Sequence, residues 1–315
     1  MYINLLNDYL KKTFGDKVYK ISLNAGFSCP NRDGKIGIGG CIFCSKGGSG
    51  DFAQSHLLSI TEQLDNGKAL VKNKIKSNKY IAYFQAFTNT YAPVEYLRKI
   101  YYEAVNHKDV VGISIATRPD CIDKDIADLL REINEIKPVF IELGLQTSNE
   151  TSAQFIRRGY SNEIFENSIT LLYGLNIVVH LIIGLPFEND DDIINTIKYI
   201  NKYPIHGVKL QLLHILSDTD LYEYYKKNPF KILSLEEYGN ILISCIKHLR
   251  PDIVIHRLTG DGPKKTLVEP AFSANKRMVL NYINNRLRNE CVVQGSLCTI
   301  NRQPSVIAND FHAKI

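Results

Sequence analysis

Three cysteines near the start of the chain have the residue type and spacing of metal ligands. Cys29, Cys41 and Cys44 form a Cys-x11-Cys-x2-Cys pattern, and glycines occupy positions 34, 37, 39 and 40 between them. Glycine tolerates backbone conformations that other residues avoid, so such a loop can bring three thiols together and expose backbone N–H groups. Three thiolates with no fourth cysteine close by favour an iron–sulfur cluster in which one iron keeps open coordination sites.

The same thiols allow two other interpretations. Cys-x2-Cys is half of a zinc-binding pattern, and His56 is then the nearest candidate for a fourth ligand. Alternatively, the thiols have no role in metal binding. A disulfide is disfavoured, because the first residues form an amphipathic helix pattern rather than an export signal. We therefore expect a cytoplasmic protein whose cysteines are ligands or buried thiols.

The composition of the chain indicates a globular protein with an uneven charge distribution. Its 315 residues are 44% hydrophobic, enough for one large domain or two ordinary ones with a sizeable core. No apolar run approaches the roughly 20 residues of a membrane-spanning helix, so no membrane partner is expected. From Tyr222 onward, 14 basic residues face 8 acidic ones, whereas the rest of the chain is nearly balanced. This excess suits a polyanionic partner, although a solvated basic surface would produce the same count.

Strand-like and helix-like segments alternate along most of the chain. The apolar runs predict six strands, at residues 18–23, 80–87, 110–116, 138–145, 176–183 and 207–213, with a possible seventh at 253–258. Strands separated by helices imply parallel βαβ units, and strands apolar throughout imply burial on both faces. The pattern predicts an α/β fold, a partial (β/α)6 TIM-like barrel over residues 1–258, with a C-terminal extension over residues 259–315. A doubly wound open sheet is the alternative.

Five stretches of the chain together resemble the radical SAM enzymes, most closely the YhcC/YtqA-type subfamily and more loosely the catalytic subunit of Elongator. They are I-S-L-N-A-G-F-S-C-P-N-R-D-G, Y-F-Q-A-F-T-N-T-Y, A-T-R-P-D, I-E-L-G-L-Q-T and H-R-L-T-G-D-G-P. The likeness covers about residues 18 to 285. The long first cysteine gap departs from the usual Cys-x3-Cys-x2-Cys but fits this subfamily. The usual Gly-Gly-Glu after the second strand is replaced by residues 85–88, and Tyr160 stands where an Arg-x-His pattern is expected.

This resemblance implies a barrel of radical SAM type with two cofactors, a [4Fe–4S] cluster and S-adenosylmethionine (SAM). It implies that Cys29, Cys41 and Cys44 hold three irons and that SAM occupies the fourth. An electron from the reduced cluster then cleaves SAM to methionine and a 5′-deoxyadenosyl radical, which takes a hydrogen atom from the substrate. The reaction requires a one-electron donor such as flavodoxin or ferredoxin. The resemblance places the SAM contacts at Gln85, Thr88, Glu142, Gln146, Arg158, Gly184, Leu185 and Pro186.

Several of the proposed SAM contacts also have a structural alternative. Arg158 could pair with the SAM carboxylate, but beside Gly159 it could equally satisfy the last carbonyls of a helix. Glu142 lies in an apolar strand, where a carboxylate is costly without a partner, so it could serve structural hydrogen bonding instead. The segment 184–186 could contact adenine or form a simple strand-end turn.

The substrate residues are predicted from the C-terminal third. Arg257 and Asp261 could contact the substrate or form a buried pair. Residues 274–288 have a helix pattern with an apolar stripe, and Arg277 and Arg288 are eleven positions apart, close to three turns, so they project in similar directions. Such a face could bind an RNA backbone.

The resemblance and the basic C-terminal third together predict an enzyme that modifies the side chain of a wobble uridine in tRNA. A radical SAM enzyme acting on a small metabolite or a protein side chain is the alternative. A zinc-stabilised RNA-binding protein without catalysis is an alternative of a different class.

Overall fold

Nine strands are present in the computed structural model, which describes residues 2–48, 50, 53–72, 77–260 and 262–300. They are β1 (Tyr19–Leu23), β2 (Tyr80–Phe84), β3 (Val110–Thr117), β4 (Val139–Gln146), β5 (Asn176–Ile183), β6 (Gly207–Leu212), β7 (Ile215–Leu216), β8 (Val254–Arg257) and β9 (Leu267–Glu269). Seven of them form one curled parallel sheet in the order β1-β2-β3-β4-β5-β6-β8. Strands that follow one another along the chain therefore lie side by side, and their carboxyl ends share one rim.

Ten α-helices accompany these strands in the described part of the chain. They are α1 (Leu6–Phe14), α2 (Ile60–Val71), α3 (Val94–Asn106), α4 (Lys124–Ile136), α5 (Glu150–Phe155), α6 (Asn162–Leu171), α7 (Asp190–Ile200), α8 (Asp220–Lys227), α9 (Leu235–His248) and α10 (Lys276–Asn289). None of the described helices is long and apolar enough to cross a membrane.

Helix starts follow from local hydrogen bonding. The pattern Ser-x-x-Glu predicts a capping box at residues 59–62 and another at residues 234–237. Both are present: the Ser59 hydroxyl accepts from the Glu62 amide at 3.2 Å and the Glu62 carboxylate accepts from the Ser59 amide at 2.8 Å at the start of α2. Ser234 and Glu237 form the box of α9 in the same way. Each box satisfies N–H groups that the first helical turn leaves unpaired.

The two faces of the sheet have different character. Successive strand residues point to opposite faces. On β4, Ile141 and Leu143 belong to the main apolar core beneath the surrounding helices, whereas Glu142 between them points to the concave side. The amino-terminal end of the concave side is apolar, because Phe140 and Val178 pack there with α1 in a separate cluster. Helix α1 therefore closes one end of the half-barrel and leaves a polar interior above it.

Both termini of the described chain meet on β8. The amide of Ile255 donates to the Asn4 carbonyl at 2.7 Å. The Asn4 amide donates to the Gln294 side chain at 2.9 Å across 290 residues of sequence, and the Gln294 amide donates to the Tyr2 carbonyl at 3.0 Å. The segments on either side of the half-barrel are thus joined directly.

The predicted partial barrel and its six strands are confirmed, and β8 is the possible seventh strand. The small antiparallel pair β7–β9 and helix α8 were not predicted, because two- and three-residue strands are too short to show a periodicity. The sequence pattern predicts that the helix beginning at the first capping box continues to about Lys76, a residue that lies outside the described part of the chain. Val279, Ile283 and Leu287 form the predicted stripe of α10 and belong to the same core as the barrel. The division at residue 258 stays a prediction.

Candidate functional site

The cysteine loop follows β1 at the carboxyl rim and is closed by its own backbone. The Asp33 amide donates to the Cys29 carbonyl at 3.2 Å, and the Gly40 amide donates to the Asn31 carbonyl at 2.7 Å. Gly40 has φ +87°, a conformation that glycine adopts without strain. At Gly37, a Cβ atom would lie 2.4 Å from Oδ1 of Asn31. The loop therefore needs glycine at both positions to bring its cysteines together.

Asn31 and Arg32 fasten the loop from inside. Asn31 is buried, and its amide nitrogen donates to the Arg157 carbonyl at 2.6 Å and approaches the Cys41 sulfur at 3.5 Å. Arg32 donates to the carbonyls of Cys44 and Ser45 at 3.2 and 2.6 Å. Both residues were missed as site residues, although they lie within the quoted stretch that follows Cys29.

Ile42 anchors the loop in a second apolar cluster. It is 7% exposed and packs with five other buried side chains, Ile156, Leu185, Leu213, Ile215 and Leu221. Its amide donates to the Ile156 carbonyl at 3.1 Å, and its carbonyl accepts from the Leu221 amide at 2.8 Å. Since Ile42 lies between Cys41 and Cys44, these contacts fix the positions of both thiols relative to α5 and α8.

The electrostatics of the three thiols suit a cationic cluster. The pKa of Cys41 is raised to about 11, chiefly by burial and also by the nearby Cys44 and Cys29 thiols, while Arg118 and a hydrogen bond from Asn31 oppose the rise. A buried thiol such as that of Cys41 needs a cation to hold it as a thiolate. Arg118 itself is oriented by Asp120, which accepts from it at 2.9 and 2.7 Å. The donor set and its Gly-rich loop therefore fit an iron–sulfur cluster.

The zinc alternative finds no support in the side-chain geometry. Within the described residues, no three His, Cys, Asp or Glu side chains converge as the ligands of one metal ion must. His56 lies instead against Gly26, whose Cβ would be 3.6 Å from the imidazole. Thiolates of a four-iron cluster bind three different irons and have no need to converge on a single ion.

The segment after β2 lies beside the cysteine loop, as a role in SAM binding requires. The Thr88 amide donates to the Ser28 carbonyl at 3.2 Å, next to Cys29, and Thr88 is buried. The Gln85 side chain accepts from the Ser22 hydroxyl at 2.8 Å on the concave side of the sheet. The structure thus brings Gln85 and Thr88 to the rim, between the loop and the barrel interior.

Glu142 lies deeper than a contact to SAM at the rim would suggest. Its carboxylate, fully buried within the half-barrel, accepts from Lys20 at 2.6 Å, Ser114 at 2.7 Å and His180 at 2.9 Å. Lys209 also donates to it. Burial alone would raise the pKa of Glu142, but Lys20, Lys209 and His180 outweigh this effect and hold it well below the usual range. Glu142 is therefore an ionised carboxylate at the centre of a polar layer.

A cavity of about 320 Å³ opens into this layer. Its lining residues come from α1, β1, β2, β6 and β8 and from the residue after β2: Leu6, Lys20, Ser22, Tyr83, Gln85, Lys209, His256 and Arg257. Burial lowers the pKa of Lys209 to about 7, and nearby Lys20 and Arg257 add to the effect despite the Glu142 carboxylate. Burial likewise lowers the pKa of His180 to about 4. Glu142 and Arg257 were predicted from the sequence as site residues, whereas Lys20, Tyr83 and Lys209 were not.

Arg158 is enclosed by backbone carbonyls. It is 1% exposed and donates to the carbonyls of Leu145, Thr147 and Tyr160 at 3.2, 2.8 and 2.9 Å. It also pairs with Glu150 at 3.1 Å. These contacts favour a structural role, but not the expected helix cap, because the carbonyls belong to the end of β4 and the turn after α5 rather than to the last turn of a helix.

The remaining proposed SAM residues form strand-end turns. Gln146 has φ +64°, and with its amide nitrogen facing the carbonyls of Gly144 and Leu145 it donates to them at 3.2 and 3.0 Å. Gly184 has φ +91°, and Leu185 is buried in the Ile42 cluster. Both turns lie at the carboxyl rim, after β4 and within the segment 184–186 after β5.

The predicted substrate residues lie in two separate places. Arg257 ends β8 and lines the cavity. Asp261 lies outside the described residues, so the predicted pair with Arg257 is not described. Arg277 and Arg288 are exposed on α10, whereas Arg286 between them pairs with Glu290 at 2.6 Å.

Comparison with known proteins identifies the family. A profile described as Radical SAM superfamily matches residues 29–200, and one described as Radical_SAM C-terminal domain matches residues 205–289. YtqA of Bacillus subtilis (strain 168), an uncharacterized protein, is 42% identical over 92% of this chain and 91% of its own length. The tRNA uridine(34) acetyltransferase of Methanocaldococcus infernus is 27% identical over 68% of this chain and 40% of its own length.

Among solved structures, the archaeal Methanocaldococcus infernus Elp3 with an N-terminal deletion has a TM-score of 0.64 and 18% identity. The match covers 88% of this chain and 64% of that one, less than two thirds of its length, and at this identity it shows the fold alone. The profile covers more than half of the chain, and YtqA matches nearly all of it. This chain therefore belongs to the radical SAM superfamily, as a YhcC/YtqA-type member whose cofactors are a [4Fe–4S] cluster and S-adenosylmethionine.

Proposed function

We propose that this radical SAM enzyme modifies the side chain of a wobble uridine in tRNA. The observation that carries the proposal is a polar half-barrel interior beneath a cysteine loop, combined with a separate exposed basic helix outside the barrel. The archaeal relative named for tRNA uridine(34) supports the choice of substrate. In this arrangement the basic helix binds the RNA backbone while the base of the wobble uridine enters the half-barrel interior.

We assign the cluster to Cys29, Cys41 and Cys44. When bound, the cluster and SAM supply the electron and the 5′-deoxyadenosyl radical that starts the reaction. The chain's own residues bind and orient them, since Asn31 and Ile42 fix the loop and Gln85 and Thr88 face the space beside it. The half-barrel around this point excludes water, which protects a reactive intermediate.

The remaining proposed SAM contacts are backbone and strand-end groups. Gly184, Leu185 and Pro186 follow β5 at the same rim, where their backbone groups are available to adenine. Arg158 stabilises the rim through its hydrogen bonds to backbone carbonyls, and we do not assign it a contact with SAM. We further propose a cytoplasmic enzyme, because tRNA and one-electron donors such as flavodoxin and ferredoxin are both present in that compartment.

The proposal is tested by the nucleosides of tRNA from cells that lack the gene. We expect mass spectrometry to show a precursor wobble uridine accumulating in place of the product. The wild-type gene should restore the product, and a gene encoding Cys41→Ala should not. A gene encoding Cys245→Ala serves as the matched control, since that thiol is buried in α9 far from the loop in sequence.

If the nucleoside profile were unchanged, tRNA would not be the substrate, and the alternative of a small metabolite or a protein side chain would take its place. The cavity volume of about 320 Å³ is large enough for a small metabolite or a protein side chain, so the same half-barrel would then act on such a substrate.

A further inference from the structure

One side-chain amide inside the cysteine loop contacts both a distant carbonyl and a cysteine sulfur. Asn31 is 5% exposed, and its amide nitrogen lies 2.6 Å from the Arg157 carbonyl oxygen and 3.5 Å from the Cys41 sulfur. An asparagine amide nitrogen carries two N–H groups, so it can donate to both acceptors at once. The first bond is sufficient to fasten the loop, and the second one has to be explained separately.

The surroundings of Asn31 fix the orientation of its amide. Exchanging the amide oxygen and nitrogen would place two carbonyl oxygens 2.6 Å apart, those of Asn31 and Arg157, which is a repulsive contact. In the observed orientation the amide oxygen lies over Gly37, where a Cβ atom would collide with it. The N–H groups therefore point toward Arg157 and Cys41.

The amide and the sulfur are both tied to one short stretch of chain after α5. Asn31 donates to the Arg157 carbonyl, and the Ile42 amide, next to Cys41, donates to the Ile156 carbonyl at 3.1 Å. Arg157 has φ +55°, a left-handed conformation that persists in a non-glycine residue only where surrounding contacts hold it. The contact between amide and sulfur is thus preorganised, because it needs little further ordering of either side chain.

We propose that the Asn31 amide donates a hydrogen bond to the Cys41 sulfur of the bound cluster and thereby raises the reduction potential of the cluster. Asn31 is a positioning residue in this assignment, since it acts through a cluster ligand and not on the substrate. The inference rests on the proposed assignment of the cluster to Cys29, Cys41 and Cys44, and it does not depend on tRNA.

The direction of the effect follows from the charge that reduction adds. The donor protein gives one electron to the cluster and is itself oxidised by one electron, and no proton is transferred. The net charge of the cluster becomes more negative by one unit, and part of that charge lies on the cysteine sulfurs. Hydrogen bonds strengthen as the acceptor becomes more negative, so the bond from Asn31 stabilises the reduced state more than the oxidised state. A donor of limited reducing power then reduces a larger fraction of the protein.

A redox titration of the reconstituted full-length protein tests the proposal. Asn31→Leu removes both N–H groups without changing the charge of the chain. The electron paramagnetic resonance (EPR) signal of the reduced cluster should show a midpoint potential lower by at least about 28 mV. This shift is a threefold smaller equilibrium constant for reduction, because a tenfold change corresponds to about 59 mV for one electron. An unchanged or higher potential in Asn31→Leu would overturn the proposal.

Asn89 provides a matched control for the loss of a buried asparagine. It is fully buried, its amide donates to the Ala116 carbonyl at 2.8 Å, and among the described residues it makes no hydrogen bond to a sulfur. Asn89→Leu should therefore lower the Tm, as Asn31→Leu does, but leave the potential unchanged. If both variants lowered the potential equally at equal iron content, the effect would come from a disturbed rim and the proposal would be wrong.

Isotope labelling of the wild-type chain gives a second readout. When asparagine is labelled with 15N only in its side-chain amide, pulsed EPR of the reduced cluster should detect a 15N coupling. The coupling should persist in Asn89→Leu and disappear in Asn31→Leu. Its absence from the labelled wild-type protein would overturn the proposal. This measurement decides the question even if Asn31→Leu takes up no cluster.

Failure of this inference is distinguishable from failure of the proposed function. If Cys41→Ala kept a complete cluster, the assigned ligands would be wrong and the inference would fall with them. If Cys41→Ala lost the cluster but Asn31→Leu kept the wild-type potential, only the inference would fail. Unchanged tRNA nucleosides in cells lacking the gene would remove tRNA as the substrate and leave the effect of Asn31 on the potential intact.

Discussion

Arg157 and Arg158 are neighbours in sequence with opposite surroundings. Arg158 is enclosed by three carbonyls and Glu150, whereas the side chain of Arg157 is 42% exposed and pairs with Asp220 at 2.6 Å. We expect Arg158→Ala to lower the free energy of unfolding by at least about 2 kcal/mol, since the carbonyls of Thr147 and Tyr160 lose their donor and each such loss costs about 1–3 kcal/mol. Arg157→Ala should cost about 1 kcal/mol or less. Urea denaturation of both variants measures the difference.

A different result would reassign Arg158. If Arg158→Ala kept its stability but lost affinity for SAM, the guanidinium would belong to the cofactor and the carbonyl contacts would be incidental.

The three cysteines of the loop should be separable from the other thiols by cluster content. Anaerobically reconstituted protein should be brown and contain about four irons and four sulfides per chain. Cys29→Ala, Cys41→Ala and Cys44→Ala should each lose the colour, whereas Cys245→Ala should keep it because that thiol is buried on α9. Iron and sulfide assays with absorption spectra test this. A colourless wild-type protein holding one zinc would contradict it.

Lys209 should make stability depend on pH in a direction unusual for a lysine in an ion pair. Its pKa of about 7 in the folded chain lies below the ordinary value of 10.5 in the unfolded chain. The unfolded state therefore binds more protons between these values, and stability rises with pH there by at most about 1.4 kcal/mol per unit. Between pH 7 and 10, the wild-type protein should gain stability relative to Lys209→Met. A constant difference across that range would show that Lys209 keeps its proton.

Among the elements, helix α10 has two faces of different character. Its apolar stripe is buried in the core, while Arg277 and Arg288 are exposed. Arg277→Glu combined with Arg288→Glu should weaken tRNA binding and lower the slope of log affinity against log salt by about 2, one unit for each lost phosphate contact. Filter binding at several salt concentrations measures this, with cluster content unchanged.

A matched pair on another helix controls for net charge. Lys124→Glu with Arg131→Glu changes the net charge by the same amount at one exposed and one partly exposed cation of α4. If that pair weakened tRNA binding as much as the α10 pair, the effect would come from overall charge and α10 would not be the contact surface.

How far the sequence could predict each element depended on local pattern. The six main strands were predictable because apolar runs alternate with capped helices, and α10 because its apolar stripe recurs every four residues. Lys20 and Lys209 were not, because a lysine in a strand usually faces water, and only the curl of the sheet turns these two inward. Asn31 and Arg32 could not be predicted as site residues from the sequence. Asn31 donates to a carbonyl that is distant in sequence, and Arg32 donates to carbonyls within an irregular loop, and neither contact produces a sequence pattern.

At the level of the whole molecule, one core joins the barrel and the C-terminal segment. Val279, Ile283, Leu287 and Val292 belong to the same buried cluster as the strands. We expect a chain ending at residue 258 to lose cooperative unfolding, because it would expose the apolar surface that these side chains cover. Circular dichroism during heating, compared with the full chain, measures this. A sharp transition in the shortened chain would show that residues 259–315 are an independent addition.

The hydrogen bond between Asn4 and Gln294 has a consequence for synthesis of the chain. The two residues are 290 positions apart, so a ribosome adding 5–20 residues per second needs roughly 15–60 s between them. Throughout that interval the nascent chain has its cysteine loop but lacks one partner of its first residues. This contact of the amino-terminal segment can therefore form only after every strand of the half-barrel has been synthesised.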